Sequence, residues 1–172
     1  MAVREVVKFG DPILRQKMRP VDDPSADGLS DLIQDMFDTM YEKEGIGLSA
    51  NQVGINLNLM VLDITHTEEM DDPMVCINGT ILDSWGETIL DEGCLSIPGI
   101  RLDIKRAEKV RYAYQDIHGN KFEEEFDGLL AKVIQHETDH LNGKLITDRV
   151  SSLKLNQHKK QLEQIVQNNF TV

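Results

Sequence analysis

The sequence predicts an α+β fold formed by a single domain over residues 1–172. Three observations support it: apolar residues recur at helical spacing near both ends, strand-like segments occupy the middle, and turn signals join neighbouring strands. Strand pairs joined by turns favour this class over a doubly wound parallel sheet. The 172 residues suffice to bury a core, and an apolar fraction of 40% is ordinary for a globular protein.

The N-terminal half predicts one helix followed by strands. The helix spans residues 27–42 and ends before Gly45 and Gly47. Strands or strand fragments are predicted at residues 57–64, 74–78 and 81–90. The apolar residues that define the helix recur every three or four positions: Leu29, Leu32, Ile33, Met36, Phe37 and Met40.

The C-terminal half predicts a hairpin and two helices. Residues 110–126 form the hairpin, with its turn at His118-Gly119-Asn120. The next helix is predicted to begin after Asp127 as N-cap and to end near Gly143. A last helix covers residues 151 to about 168, within a C-terminal helical tail of residues 151–172.

Composition argues against several classes of protein. A net charge of −12 disfavours nucleic-acid binding, so no specific DNA binding is expected. No stretch approaches the ~20 apolar residues of a membrane span, and residues 1–9 do not resemble a secretory signal. Cys76 and Cys94 favour a reducing compartment over a disulfide framework, and Cys76 is expected in the core. The predicted location is the cytoplasm.

The helix after Asp127 carries His136-Glu137-Thr138-Asp139-His140. Residues four apart lie on one helical face, so His136 and His140 would present two imidazoles to one point. Such a pair can hold a divalent metal, with Glu137 as general base for a water. The alternative is a pair of surface histidines on an ordinary helix. His66, His118 and His158, in loop-like or polar surroundings, are expected at the surface.

A catalytic zinc or iron site usually needs a third protein ligand. Two candidates exist: Glu163, downstream as in many zinc peptidases, and Cys94, in a loop-like segment before Pro98-Gly99. With Glu163 as third ligand, the protein would be a zinc peptidase that cuts internal peptide bonds. A third alternative is a non-catalytic protein with a structural metal, which would normally need four protein ligands. Spacing alone leaves these alternatives open.

Three motifs, taken in order, closely resemble the signature motifs of the peptide deformylase family. They are Gly45–Gln52 (GIGLSANQ), Glu92–Ser96 (EGCLS) and Gln135–His140 (QHETDH). The likeness runs from Val6 to about Leu155. It implies antiparallel sheets packed around a central metal-binding helix, with an N-terminal and a C-terminal helix. It also implies removal of the formyl group from formyl-methionine at the start of nascent polypeptides.

The resemblance assigns a role to each motif residue. It implies that Cys94, His136 and His140 are the ligands of one divalent metal, with Fe(II) expected and Zn(II) as a replacement. A metal-activated water would attack the formyl carbonyl, and Glu137 would accept and return a proton. The donors to the oxyanion would be the Gln52 side-chain amide and the Leu95 backbone N–H.

The expected substrate-binding residues come from two parts of the chain and from the resemblance. Gly45 and Gly47 would let an extended peptide lie along Ile46. On the metal helix, Leu129, Lys132 and Val133 face the same side as His136 and are expected to wall the methionine pocket. Arg101 is assigned to substrate binding within the same likeness.

Three positions depart from the family pattern, and the tail adds a possible partner. Ser49 stands where alanine is usual, Gly99 where glutamate is frequent, and Lys132 where an apolar pocket residue is common. Lys132 is expected to keep its charge at the pocket rim and favour acidic residues after methionine. Residues 151–172 hold three lysines against Glu163. Either this tail is a solvated helix face, or it contacts ribosomal RNA as the tail of bacterial relatives does.

Overall fold

A computed structural model describes residues 2–170. It combines helices with antiparallel strands, which confirms the predicted α+β class with an N-terminal and a C-terminal helix. In chain order the elements are α1 Leu29–Glu42, β1 Gly47–Ser49, β2 Leu59–Leu62, β3 Met74–Trp85, β4 Thr88–Cys94, β5 Ile97–Arg106, β6 Lys109–Gln115, β7 Lys121–Phe126, α2 Gly128–Leu141, α3 Ser152–Asn156 and α4 Lys159–Phe170.

The larger sheet has five antiparallel strands in the order β1-β2-β3-β6-β7. Strand β2 is buried throughout, because its alternate side chains enter two different hydrophobic clusters. Leu59 and Val61 pack with α1, whereas Met60 and Leu62 pack with α2. The two helices therefore cover opposite faces of this sheet.

Strands β4 and β5 form a separate two-stranded sheet. Strand β5 alternates buried and exposed residues from Ile100 to Arg106, as expected for a strand with one covered face. Its apolar side packs with Leu162 and Ile165 of α4, so the C-terminal helix holds this sheet in place.

Helix α2 lies against both β1 and β2 and carries the histidine motif. Asp127 occupies the N-cap position, but its side chain accepts no capping hydrogen bond. The backbone N–H of Leu130 instead donates to Oε2 of Glu69, which lies between β2 and β3, at 3.1 Å. Gly143 follows the helix with a φ of 75°, the left-handed conformation typical of a helix terminus.

Several predicted boundaries are wrong. The strand predicted to end at Asn78 continues to Trp85 as β3, and Gly86 turns the chain with a φ of 71° into β4, so residues 81–90 hold fragments of two strands. Strand β5 was not predicted, because Pro98-Gly99 suggested a loop. The predicted last helix is broken at Gln157 and His158 into α3 and α4.

Other predictions are confirmed. Helix α1 and the β6–β7 hairpin occupy the predicted segments. Cys76 is buried, while His66 and His118 are exposed. Within residues 2–170, no helix combines the length and apolar character that crossing a membrane requires.

Candidate metal centre and substrate groove

The histidines of α2 and a cysteine at the end of β4 converge on one point. The Nε2 atoms of His136 and His140 are 3.2 Å apart. The Sγ atom of Cys94 lies 3.3 Å from Nε2 of His140. The three candidate ligand atoms all lie within 4.8 Å of one another. Helix spacing thus brings the two rings together, and the small sheet supplies the sulfur.

The hairpin geometry explains why Cys94 reaches the helix. Cys94 pairs with Ile97, and the strand register shifts between Glu92 and Cys94. Such a bulge re-aims a side chain that regular alternation would direct elsewhere. The loop-like environment expected for Cys94 is therefore wrong: the residue ends a strand at a tight turn.

These donors fit a metal ion. Metal–nitrogen bonds of about 2.1 Å at tetrahedral angles would place two ligand nitrogens about 3.4 Å apart, close to the observed spacing. A thiolate and two imidazoles also form a donor set that zinc and ferrous iron accept. The competing third ligand, Glu163, lies on α4 with a 61% exposed side chain, beside Lys159. Within residues 2–170, Glu163 is not part of the convergent group.

A buried carboxylate orients the first histidine. Oε1 of Glu92 lies 2.7 Å from Nδ1 of His136, so Nδ1 donates its hydrogen to Glu92 and Nε2 is left for a ligand role. Glu92 in turn accepts two hydrogen bonds, of 2.8 and 2.9 Å, from the guanidinium of Arg106. Although burial opposes the charged carboxylate, Arg106 and His136 hold the pKa of Glu92 below its usual value.

Arg106 connects this carboxylate to a second one. Its Nη1 donates to Oδ2 of Asp139 at 2.7 Å, and Arg149 donates two further hydrogen bonds to the same carboxylate. Arg106 is almost fully buried and would be costly there without partners. The network therefore ties β4, β5 and α2 together directly behind the histidines.

Glu137 is a buried carboxylate beside the histidines. Its side chain is buried, Oε1 lies 3.9 Å from Nε2 of His136, and Oε2 has no hydrogen-bond partner among residues 2–170. Burial raises the pKa of Glu137, with partial opposition from His136. Gly47 makes room for this carboxylate, because a Cβ there would lie 2.8 Å from Oε1. Residue 47 is therefore a glycine because a side chain there would collide with the Glu137 carboxylate.

The two histidines differ in their affinity for protons. Burial and the neighbouring His136 lower the pKa of His140 well below its ordinary value, which keeps this imidazole neutral. Burial also disfavours a charged His136, but hydrogen bonds to Cys94 and Glu92 outweigh it and raise its pKa. A neutral His140 is in the protonation state that metal ligation needs.

Gln52 is held with its amide toward the cysteine. Its Oε1 accepts hydrogen bonds from the backbone N–H and the hydroxyl of Ser49 at 3.1 and 3.0 Å. Its Nε2 lies 3.1 Å from Oγ of Ser96 and 3.8 Å from Sγ of Cys94. These contacts fix which end of the amide is the donor, and the Ser49 hydroxyl adds a hydrogen bond that an alanine could not make.

The metal centre opens into a groove of about 830 Å³. All seven residues expected to bind substrate line it, together with Gln52, Leu95, Cys94 and His136. Val133 is buried, whereas Leu129 and Lys132 are half-buried. Arg101 is engaged with Asp91, with its Nε donating to Oδ2 at 2.8 Å.

Sequence reasoning missed the residues behind the histidines: Glu92 and Asp139, which lie inside recognised motifs, and Arg106 and Arg149. One signal was available. On β5, Ile100, Leu102 and Ile104 alternate inward, and Arg106 continues the same alternation. A charged residue at an inward strand position requires a buried partner.

Comparison with known proteins gives consistent matches. The sequence profile of the polypeptide deformylase family matches residues 3–156. A peptide deformylase of Tolumonas auensis is 45% identical over 168 residues, covering 98% of this chain and 99% of that protein. Peptide deformylase 2 of Xanthomonas campestris is 45% identical over 167 residues, covering 96% of this chain and 97% of that protein.

Solved structures agree with these relatives. The crystal structure of a peptide deformylase from Legionella pneumophila superposes with a TM-score of 0.88 at 40% identity, covering 99% of both chains. A peptide deformylase from Synechococcus elongatus, solved in complex with actinonin, gives a TM-score of 0.85 at 45% identity. It covers 91% of this chain and 86% of that one.

Proposed function

The chain belongs to the peptide deformylase family, and we propose how its own residues carry out the reaction of that family. It is a hydrolase that removes the N-formyl group from the formyl-methionine of nascent polypeptides and releases formate. The observation that carries this conclusion is the Cys94, His136 and His140 cluster beside buried Glu137 and next to a groove of about 830 Å³.

Cys94, His136 and His140 would hold one divalent metal. Fe(II) is the proposed working metal, with Zn(II) as a replacement, since a thiolate and two imidazoles suit both ions. A metal bound there would supply Lewis acidity, which would make a water nucleophilic toward the formyl carbonyl near neutral pH. Glu92 supports the site, because it orients His136 through Nδ1.

Glu137 acts as the general base and then as the general acid of the reaction. Its buried Oε2 atom without a hydrogen-bond partner is suited to accept a proton from water and to return it to the leaving amine. A raised pKa brings the carboxyl closer to the working pH, where a group can serve as base and then as acid. Gly47 supports this role by leaving the space that the carboxylate occupies.

Two donors stabilise the oxyanion that forms on the formyl oxygen: the Gln52 side-chain amide and the backbone N–H of Leu95. The Ser49 contacts support this role for Gln52, because they leave Nε2 as the donor on the Cys94 side. Losing one such donor typically costs about 10²- to 10³-fold in rate.

The groove takes the peptide in extended form. Gly45, Ile46 and Gly47 lead into the edge strand β1, whose outer side can add a further strand through main-chain hydrogen bonds. Leu129 and Val133 offer the apolar wall for the methionine side chain, and the stem of Lys132 extends it toward solvent. Arg101 also lines the groove, where its ion pair with Asp91 holds it in place to contact the peptide.

The proposed setting is the cytoplasm, where nascent chains emerge, with the ribosome as a further partner. The tail supports this proposal because Lys154, Lys159 and Lys160 are exposed on α3 and α4. In a chain of net charge −12, such a basic segment is suited to phosphate contact. A solvated helix face remains the competing interpretation of these lysines.

Two substrates distinguish this function from cleavage of internal peptide bonds. The protein, loaded anaerobically with Fe(II), is given a formyl-Met-Ala-Ser amide and an acetyl-blocked peptide without a formyl group. Formate release from the first and no chain cleavage in the second is the expected result. Cleavage of internal bonds without formate release would contradict the proposal.

A further inference from the structure

Three lysines lie at the opening of the groove. Lys8, Lys43 and Lys132 all line it, in a chain of net charge −12. They come from three distant segments: the N-terminal segment, the end of α1 and the middle of α2. Folding, rather than sequence proximity, brings them to one opening.

The carboxylates of the groove do not neutralise these lysines. Asp91 pairs with Arg101, Glu92 pairs with Arg106, and Glu137 is buried. Among the residues that line the groove, this leaves the exposed side chain of Glu44 as the acidic group facing them, and Glu5, outside the lining, acts on Lys8. Among residues 2–170, none of the three lysines forms an ion pair within 4.0 Å.

Two of these lysines are close neighbours. Burial lowers the pKa of Lys8, and the positive charge of Lys43 lowers it further. The Nζ atom of Lys8 donates one hydrogen bond to the backbone oxygen of Val6 at 2.9 Å, which leaves its other donors for a ligand. The exposed carboxylate of Glu5 offsets part of this repulsion, and an anionic ligand between the two lysines would offset more of it.

We infer that Lys8, Lys43 and Lys132 form a basic rim that makes this enzyme prefer nascent chains with Asp or Glu in the two positions after formyl-methionine. The inference rests on the proposed deformylase function, because it needs the peptide to leave the methionine pocket through this rim. Lys132 stands beside the pocket on α2, and Lys43 precedes the Gly45–Gly47 segment along which the peptide lies.

The size of the preference follows from exposed ion pairs. One such pair changes binding by about 1.5- to fivefold, so two partners acting together give roughly three- to tenfold. Away from the rim the chain is acidic and repels acidic peptides. A variant without the three lysines should therefore prefer the neutral peptide over the acidic one. High salt should weaken it, since the Debye length shrinks to about 3 Å at 1 M.

The test compares kcat/KM for formyl-Met-Glu-Ser, formyl-Met-Gln-Ser and formyl-Met-Lys-Ser, all as C-terminal amides. Glu and Gln have the same shape, so their ratio reports charge alone. The inference requires that kcat/KM for the Glu peptide exceed that for the Gln peptide roughly three- to tenfold at low salt. The Lys peptide should have a lower kcat/KM than the Gln peptide, and the three values should converge in high salt. Equal values for all three peptides at low salt would overturn it.

Variants assign the effect to the rim. Lys132→Met and the pair Lys8→Gln/Lys43→Gln should each lower the Glu-to-Gln ratio, and the triple variant should bring it below one. Lys121→Gln is the matched control: it removes the same charge on β7, at the opposite edge of the sheet from β1, and should keep the parental ratio. A ratio unchanged in the triple variant would assign the preference elsewhere and overturn the inference.

The C-terminal carboxylate of a short peptide is a second source of negative charge. Comparing formyl-Met-Gln-Ser as acid and as amide separates the two sources. A gain for the free acid without a gain for Glu in the amides would contradict recognition of side chains. Turnover of the neutral amide tests the deformylase function itself, so the inference can fail while that function stands.

Discussion

Oε1 of Glu92 lies 2.7 Å from Nδ1 of His136, at the end of a buried chain of ion pairs that runs through Arg106 to Asp139. Ion pairs therefore connect helix α2 to the sheet of β4 and β5, and the same network orients His136, a candidate metal ligand. Because Glu92 and Asp139 both pair with Arg106, neither carboxylate is an isolated buried charge.

Glu92→Gln tests that orienting role. The amide keeps the shape of the side chain but is a weaker acceptor for the N–H of His136, so metal affinity should fall by about 10- to 100-fold. Competition with a chelator measures it, and thermal unfolding of the metal-free protein checks that the fold survives. Asp91→Asn, whose carboxylate is 59% exposed and pairs with Arg101, is the control. Parental metal affinity in Glu92→Gln would exclude the role.

Cys94→Ala and Glu163→Ala decide between the two candidate third ligands. Cys94→Ala should abolish tight metal binding, because its Sγ is one of three converging donor atoms. Glu163→Ala should bind metal like the parent, because its side chain lies on α4 beside Lys159. Metal content after dialysis measures both. The reverse pattern would favour a peptidase-like site.

The pH dependence of stability tests the environment of Glu137. Burial raises the pKa of this carboxyl in the folded protein, so its contribution to stability falls as pH rises through the folded value. In the metal-free protein, Glu137→Gln should therefore gain stability over the parent at about pH 8 and much less at about pH 4.5. Urea unfolding measures the difference.

The control for this measurement is Glu163→Gln, since that side chain is 61% exposed. It should show no gain that grows with pH. An equal gain for Glu137→Gln at both pH values would mean that the buried charge is not the cause.

Ribosome binding tests the tail. If Lys159 and Lys160 contact phosphate, Lys159→Glu/Lys160→Glu should weaken binding to ribosomes, and the slope of log affinity against log salt should lessen by about one to two. Lys121→Glu/Lys144→Glu applies the same charge change outside the tail and should bind like the parent. Unchanged binding in the tail variant would leave these lysines as a solvated face.

The elements that follow local patterns were predictable from sequence. Helix α1, helix α2 and the β6–β7 hairpin each carry their own periodicity or turn signal. Strand β5 was not, because Pro98-Gly99 at its start carries a loop signal that pairing with β4 overrides. The break between α3 and α4 falls in a segment without a glycine or proline to mark it.

The candidate site also has a part that the sequence predicts and a part that it does not. The spacing of His136 and His140 follows from helix geometry, and the structure brings both to Cys94. No local pattern links Glu92 to Arg106, which is 14 residues away, or Arg106 to Asp139, which is 33 away. Such partners depend on how the sheets and α2 pack. The alternation of Ile100, Leu102, Ile104 and Arg106 was the available signal, and it went unused because β5 was not predicted.

Formate release by Glu137→Gln tests the catalytic assignment most directly. Parent and variant are loaded anaerobically with Fe(II), shown to hold the same amount of metal, and given formyl-Met-Ala-Ser amide under single-turnover conditions. The variant keeps the three candidate ligands but lacks the proton acceptor, so its rate should fall by at least about 10²-fold. Parental formate release by the metal-loaded variant would contradict the role of Glu137 and the mechanism built on it.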